Sequence, residues 1–321
     1  MRDLRIIFMG TPEFAAHNLK CLFDSKVATI VAVVTAPDKP AGRGQKLTPS
    51  AVKVAATELG IPVLQPEKLK DPGFLSELKS FNADLQVVVA FRMLPEVLWN
   101  MPPKGSFNLH ASLLPQYRGA APINWAVING ESETGVTTFF LTHEIDTGNV
   151  IFQKRIAIGD DDDAGTVHDK LMTLGATLVV DTVKAIASEN VCVYPQSNSG
   201  DEVGLKPAPK IFKEDCKICW NMNAQRIHNL IRGLSPYPAS WTELFEPDGP
   251  GVLLKIFKSQ PVEHIKSLKP GEIMCDGKSE LIIGTADVGL QIIEMQLAGK
   301  KRMSVADFLK GYRWQSGTCV K

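Results

Sequence analysis

Short runs of aliphatic and β-branched residues alternate with amphipathic stretches through the first half of the chain. The runs Arg5–Met9, Thr29–Thr35, Val63–Gln65, Leu85–Phe91, Ser106–His110, Val136–Leu141 and Val150–Ile156 predict strands. Near-continuous hydrophobicity in most of them marks strands covered on both faces. Helical spacing predicts Glu13–Phe23, Ala51–Leu59, Gly73–Phe81 and Ile123–Ile128, the second behind a Pro49-Ser50 start signal, and a longer helix from about Val167 to Ser188. The alternation builds βαβ units, so the expected fold is α/β, with an open, mainly parallel, Rossmann-like sheet.

From Val191 to Lys210 the pattern gives way to VCVYPQSNSGDEVGLKPAPK, a Pro-, Gly- and Ser-rich stretch that reads as an extended linker. The expected division is therefore 1–189, a linker at 190–210 and a second domain at 211–321. That second part predicts a helix near Ala224–Ile231 and short strands at Val252–Phe257, Gly271–Met274, Leu281–Thr285 and Leu290–Gln296. Turn sequences at Asp276-Gly277 and Asp287-Val288-Gly289 join them, which points to a small antiparallel, OB-like β-barrel.

With 321 residues, 44% of them hydrophobic, the chain can bury a sizeable core and forms two domains by its length. Lys plus Arg and Asp plus Glu number 35 each, so any nucleic-acid contact must come from local patches rather than net charge. From Lys206 onward 17 basic residues face 12 acidic ones, a mild basic bias. Of six cysteines only Cys216 and Cys219 have CxxC spacing, and a lone pair of this kind reads as reduced thiols rather than a zinc site. The N-terminal run is too short for a signal sequence and no stretch has the length of a membrane span, so a cytoplasmic protein with no membrane partner is expected.

The first strand leads into Gly10-Thr11-Pro12-Glu13-Phe14, which lacks the glycine spacing of a dinucleotide loop, and no GxxxxGK[ST] segment exists elsewhere. The ligand of the crevice at the strand ends is therefore neither NAD nor ATP on this reading. More informative is Ser106-Phe107-Asn108-Leu109-His110, where alternation places Ser106, Asn108 and His110 on one face, just before a Pro- and Gly-containing loop. A second polar cluster, Thr142-His143-Glu144-Ile145-Asp146-Thr147-Gly148, links two apolar strands and can bring Asp146 to His110. Imidazole, carboxamide and carboxylate together suit acyl transfer: one group donates to a developing oxyanion while the others manage protons. The spacing leaves open whether His110 acts first as acid or base. His143, beside Glu144, is a rival titrating group, and Asp160–Asp163 reads as the solvated start of the long helix.

NLHASLLPQYRG followed by EIDTGNVI resembles the formyltransferases that use 10-formyltetrahydrofolate, whose pattern is Asn-x-His-x-Ser-Leu-Leu-Pro with a later Asp-x-Gly. The resemblance implies that Asn108, His110 and Asp146 are catalytic, that Ser112, Leu113, Leu114 and Pro115 form the folate-site motif, and that Met93 and Leu94 line the pterin pocket. RIIFMGTPEFA, PDKPAGRGQKL, GAAPINWAV and MQLAGKKRMS extend the likeness, nearly end to end, to the branch of that family acting on methionyl-tRNA. Ala90-Phe91-Arg92-Met93-Leu94-Pro95 departs from it, since many relatives have a tyrosine-glycine pair there. The implied partners are 10-formyltetrahydrofolate as donor and initiator methionyl-tRNA as acceptor, with no metal, in a monomer. The basic loop Pro37–Pro49 then offers Lys39, Arg43 and Lys46 to tRNA phosphates, against the single acid Asp38.

Overall fold

The computed structural model describes residues 3–41, 46–196, 204–247 and 249–321. By packing, the chain forms two units, each assembled from three stretches. One comprises Met1–Gly119, Thr134–Ile156 and His168–Pro207; the other Ala120–Glu133, Ala157–Val167 and Ala208–Lys321.

The first unit begins with β1 (Arg5–Gly10), α1 (Glu13–Ser25), β2 (Thr29–Val34) and a two-stranded ribbon, β3 (Lys39–Ala41) with β4 (Lys46–Thr48). It continues with α2 (Ala51–Glu58), β5 (Val63–Leu64), α3 (Pro72–Ser80), β6 (Leu85–Val89), α4 (Glu96–Trp99) and β7 (Ser106–His110). After α5 (Pro122–Ile128), which packs in the other unit, come β8 (Glu133–Phe140), β9 (Val150–Ala157) and α6 (Ala164–Ala187). The sheet order is β5-β2-β1-β6-β7-β8-β9. Pairing is parallel from β5 to β7 and antiparallel between β7 and β8.

Strand β1 is apolar on both faces because helices cover both. Ile6, Phe8 and Met9 are fully buried, and burial of each such side chain contributes about 1.5–3 kcal/mol. Gly10 ends the strand where a Cβ would lie 2.5 Å from that of Ala15 and 2.8 Å from the Val89 carbonyl, so helix α1 packs close only over glycine. Local capping sets the helix starts: Ser50 accepts the Lys53 N–H at 3.0 Å and opens α2, and Asp71, before Pro72, accepts that of Phe74 at 2.9 Å and opens α3. Strand order reverses between β1 and β6, which leaves a crevice at their carboxyl ends.

The second unit contains α7 (Ala224–Leu234), β10 (Ser240–Phe245), β11 (Val252–Val262), β12 (Ile273–Cys275), β13 (Leu281–Gly284), β14 (Gly289–Leu297), β15 (Met303–Ser304), α8 (Val305–Lys310) and β16 (Cys319–Val320). Its sheet runs β12-β13-β14-β11-β10-β16, with β15 on β14, and a bridge from Glu272 to Cys319 brings the two ends together into a nearly closed barrel. Ile227 and Ile231 of α7 pack with Leu254, Ile256, Leu290 and Ile292 in its core. Gly233 permits close approach to α5, since a Cβ there would lie 2.8 Å from the Ile128 nitrogen, and Asn124 seals the contact by donating to the Gly233 carbonyl at 2.8 Å.

Two expectations change in the structure. Strand β6 stops at Val89 rather than reaching Phe91, because Ala90 turns into left-handed backbone at φ 46°. Residues 190–196, read as linker, are docked on the first unit through a bridge between Tyr194 and Val150 and through a buried Gln196.

The turn between β12 and β13 allows a test in acid. The Asp276 carboxylate accepts the N–H groups of Glu280, Lys278 and Ser279 at 2.9, 2.8 and 2.9 Å, which holds its pKa down to about 2. Because the folded value lies below the ordinary 3.8, its stabilising contribution is complete above about pH 4 and lost as pH falls through about 2. Asp276→Ala should therefore lower the thermal midpoint at pH 6, with the gap to wild type closing near pH 2. A gap that stays constant across that range would exclude the carboxylate charge as its source.

Candidate active site

On β7 the three polar side chains share one face, and their environments differ. Ser106 is buried, donating to the Trp99 carbonyl at 2.6 Å beside Gln86 Oε1 at 3.0 Å, so its hydroxyl ties the strand to its surroundings. Asn108 is half-buried, and among the described residues its carboxamide has no hydrogen-bond partner. His110 is buried, with Nε2 2.8 Å from the Tyr117 carbonyl oxygen. A carbonyl only accepts, so Nε2 carries the N–H of this contact, and Nδ1 is left open to another partner.

That Nδ1 faces Asp146, whose Oδ2 lies 3.8 Å away and accepts the Gly119 N–H at 3.0 Å. The separation is too long for a hydrogen bond and short enough for electrostatic attraction to an imidazolium. Asp146 reaches this position although β8 runs antiparallel to β7, because the loop after β8 folds back. Leu141 N–H bonds to the Ser106 carbonyl at 2.8 Å, and Phe140 N–H to that of Asn149 at 3.0 Å. Gly148 makes the reversal possible, since any Cβ there would sit 1.7 Å from the Phe140 oxygen. Three non-glycine residues around the crevice, Ala90, Tyr117 and Asp146, have left-handed φ angles of 46°, 60° and 54°. Such conformations cost on the order of 1–3 kcal/mol each for most side chains, least for aspartate, and persist where the surroundings over-determine them.

The segment Ser112–Pro115 is held from below. Buried Thr137 of β8 donates to the Ser112 carbonyl at 2.7 Å and accepts the Leu114 N–H at 3.2 Å, while Gln153 of β9 donates to the Leu114 carbonyl at 2.8 Å and to Thr137 at 3.0 Å. The Ser112 hydroxyl is turned inward, donating to the Gln116 carbonyl at 2.6 Å. Leu114 is buried and Leu113 and Pro115 are half-buried, with a cis peptide bond between Leu114 and Pro115. Met93 and Leu94 diverge: Met93 is 73% exposed, whereas Leu94 packs on the core cluster with Phe91. Arg92 tethers their loop through the carbonyls of Glu67, at 2.8 Å, and Pro66.

Lys39 is exposed on β3, and Lys46 follows on β4, paired to Ala41; Arg43 lies outside the described residues. The ribbon leaves the carboxyl end of β2, and Asp38 at its root is held by Lys53 at 2.6 Å and Gln65 at 2.8 Å, hydrogen bonds that depress its pKa. His143 is not joined to His110 but sits on the surface, 3.4 Å from Glu96 and edge-on to Trp99. Cys216 is buried and Cys219 exposed, and among the described residues no three His, Cys, Asp or Glu side chains are grouped to hold a metal. No described helix is long and apolar enough to cross a membrane.

Several residues of this site were not singled out from the sequence. Thr137 and Gln153 are polar interruptions of apolar strands, the same signal that marked Asn108 and His110. Tyr117 acts through its carbonyl, and Gln196 lies in a stretch whose composition reads as linker, so neither carried a side-chain signature. Gln196 donates to the carbonyls of Asp146 and Gly148 at 2.8 and 2.9 Å and accepts from Arg118 at 3.0 and 2.6 Å.

An Asn-x-His pair at the end of a strand in an open sheet, with a carboxylate folded back upon it, is an arrangement suited to group transfer. The chain belongs to the formyl transferase family: the Formyl transferase model matches residues 4–183 and the Formyl transferase, C-terminal domain model residues 210–313. Within it, the chain is 56% identical over 310 residues to a protein of Bacteroides fragilis named methionyl-tRNA formyltransferase, covering 97% of this chain and 95% of that one. A protein of the same name from Porphyromonas gingivalis is 46% identical over 321 residues, covering 99% of each. Among solved structures, WlaRD, a sugar 3N-formyl transferase crystallised in the presence of dTDP and 5-N-formyl-THF, shares the fold with a TM-score of 0.64 at 19% identity. That match covers 94% of this chain and all 100% of the other.

The Thr137 hydroxyl serves three partners at once, so Thr137→Val should destabilise the chain by about 1–3 kcal/mol through unpaired buried groups, while Thr137→Ser is nearly neutral. Denaturant unfolding of the two variants checks this. A valine variant as stable as wild type would show that the segment Ser112–Pro115 is not held by this hydroxyl.

Proposed function

We propose that the chain transfers the formyl group of 10-formyltetrahydrofolate to the amino group of methionine on initiator tRNA. The observation that carries this reading is the carboxamide of Asn108, without a hydrogen-bond partner among the described residues, beside a His110 whose Nε2 is committed to Tyr117 and whose Nδ1 faces Asp146. As the amine lone pair attacks the formyl carbon, negative charge grows on the formyl oxygen. Asn108 donates to it without titrating, which suits an amide at the crevice mouth. His110 moves the proton released by the attacking nitrogen to the folate nitrogen as the carbon–nitrogen bond to folate breaks. Asp146 orients the imidazole from the Nδ1 side.

Ser112, Leu113, Leu114, Pro115, Met93 and Leu94 form the folate side of the crevice, with Ser112 acting by shaping the backbone. Lys39, Arg43 and Lys46 are the cations this reading offers to acceptor-stem phosphates. In sequence terms 1–189 carries the chemistry and 211–321 helps hold the tRNA. The enzyme works in the cytoplasm as a monomer.

Incubation with 10-formyltetrahydrofolate and either charged initiator tRNA or glycinamide ribonucleotide tests the acceptor. Formylation of the nucleotide and not of the tRNA would overturn the proposal. Asn108→Ala and His110→Ala should each lower kcat by about 10²–10³ in folded protein, and near-wild-type turnover would remove that residue from the chemistry. Arg43→Ala should leave folate affinity intact and reduce the salt slope of tRNA affinity by about 0.7–0.9. An unchanged slope and affinity across a salt series would exclude a phosphate contact.

A further inference from the structure

Both partners of His110 come from loops with little regular structure, and one buried side chain joins those loops. Tyr117, which offers its carbonyl to Nε2, and Gly119, which offers its N–H to Asp146, flank Arg118. Arg118 donates through Nε and Nη2 to Gln196 Oε1 at 3.0 and 2.6 Å. From its other end Gln196 donates both amide hydrogens, to the Asp146 carbonyl at 2.8 Å and the Gly148 carbonyl at 2.9 Å. Gln196 is 5% exposed, and all its hydrogen-bonding capacity is used. Its orientation is dictated by chemistry: a guanidinium can only donate and a carbonyl only accept, so a flipped amide would lose all four bonds.

We propose that Gln196, through Arg118, is a positioning residue for the His110–Asp146 pair, fixing the 117–119 loop and the 146–148 loop at one mutual distance. The 3.8 Å separation of Nδ1 and Oδ2 is not closed by a hydrogen bond of its own, so the position of the carboxylate depends on what holds its loop. Two supports are visible, the Gly119 N–H on the carboxylate and the Gln196 amide on the backbone, and the second also anchors the residue beside the first. Asp146 has left-handed backbone at φ 54°, and the bond from Gln196 to its carbonyl helps hold that conformation. The catalytic consequence rests on the formyl transfer proposed above; the clamp itself does not.

The test uses the full chain with Gln196→Leu, which keeps the volume and removes every polar atom, and Gln196→Glu, which keeps an acceptor for Arg118 and removes both donors. Each variant should lower kcat by about 10- to 100-fold, as misplacement of a catalytic group does, with KM for folate and tRNA within about twofold of wild type. Exchange of the Gly119 amide hydrogen, read by NMR, should quicken at least about tenfold while amides of β1 and β6 keep their protection. Unchanged Gly119 protection in Gln196→Leu would overturn the clamp, as would full activity of Gln196→Glu, since Arg118 alone would then suffice. Loss of protection throughout the sheet would also overturn it, by making Gln196 a general stability residue. Should wild type fail to formylate either acceptor, the functional reading falls, and the Gly119 measurement still decides the clamp.

Discussion

The hydrogen bond from His110 Nε2 to the Tyr117 carbonyl decides what the rest of the site can do. A carbonyl can only accept, so this contact takes the N–H of one ring nitrogen and leaves the other facing Asp146. The same bond requires Tyr117 to turn its carbonyl inward, which accounts for left-handed backbone at a bulky residue. Around it the neighbouring segments are constrained in turn: Thr137 and Gln153 hold the loop that precedes Tyr117, and Gly119 reaches Asp146. The parallel sheet supplies the rigid edge from which His110 projects, and the polar contacts determine which of its nitrogens is available.

The crevice also shows how a doubly wound sheet is adapted without a phosphate-binding loop. A glycine is retained at the end of β1, but for close packing of α1 rather than for approach to a pyrophosphate. The neighbouring strand β6 is followed by Ala90, a left-handed residue with a Cβ, and the loop beyond it is tied down by Arg92. The polar side chains of the crevice stand instead on β7 and on the returning loop after β8. An antiparallel strand beside β7 makes this possible, because its connection can fold back over the sheet face.

Much of this frame was legible in the chain, for physical reasons that vary by element. Buried parallel strands such as β1 and β2 announce themselves as unbroken apolar runs, and Ser50 signals its helix by capping it. The polar face of β7 was readable because Asn108 and His110 interrupt that pattern with period two. Short edge elements were missed, among them the β3–β4 ribbon, α4 and β16, since two to four residues carry no period. The end of β6 was misplaced because its apolar run continues through Phe91 while the backbone turns at Ala90. Gln196 was illegible for a different reason: its role comes from bonds to residues 50 and 78 positions away, and its neighbours have linker composition.

The interleaving of the two packed units has a consequence for how such a chain can be taken apart or assembled from pieces. Helix α5 and the segment Ala157–Val167 precede residue 189, yet their partners are α7 and its neighbours: Asn124 bonds to Gly233, and buried Arg232 bonds to the carbonyls of Gly159 and Asp162 at 3.3 and 3.0 Å. A fragment ending near residue 189 would carry these surfaces uncovered, and the remainder would lose one wall of its helix α7. A transplant of the barrel onto another sheet would have to bring matching replacements for both inserts. The unit of exchange in this chain is thus the barrel together with both of its inserts, rather than any single run of residues.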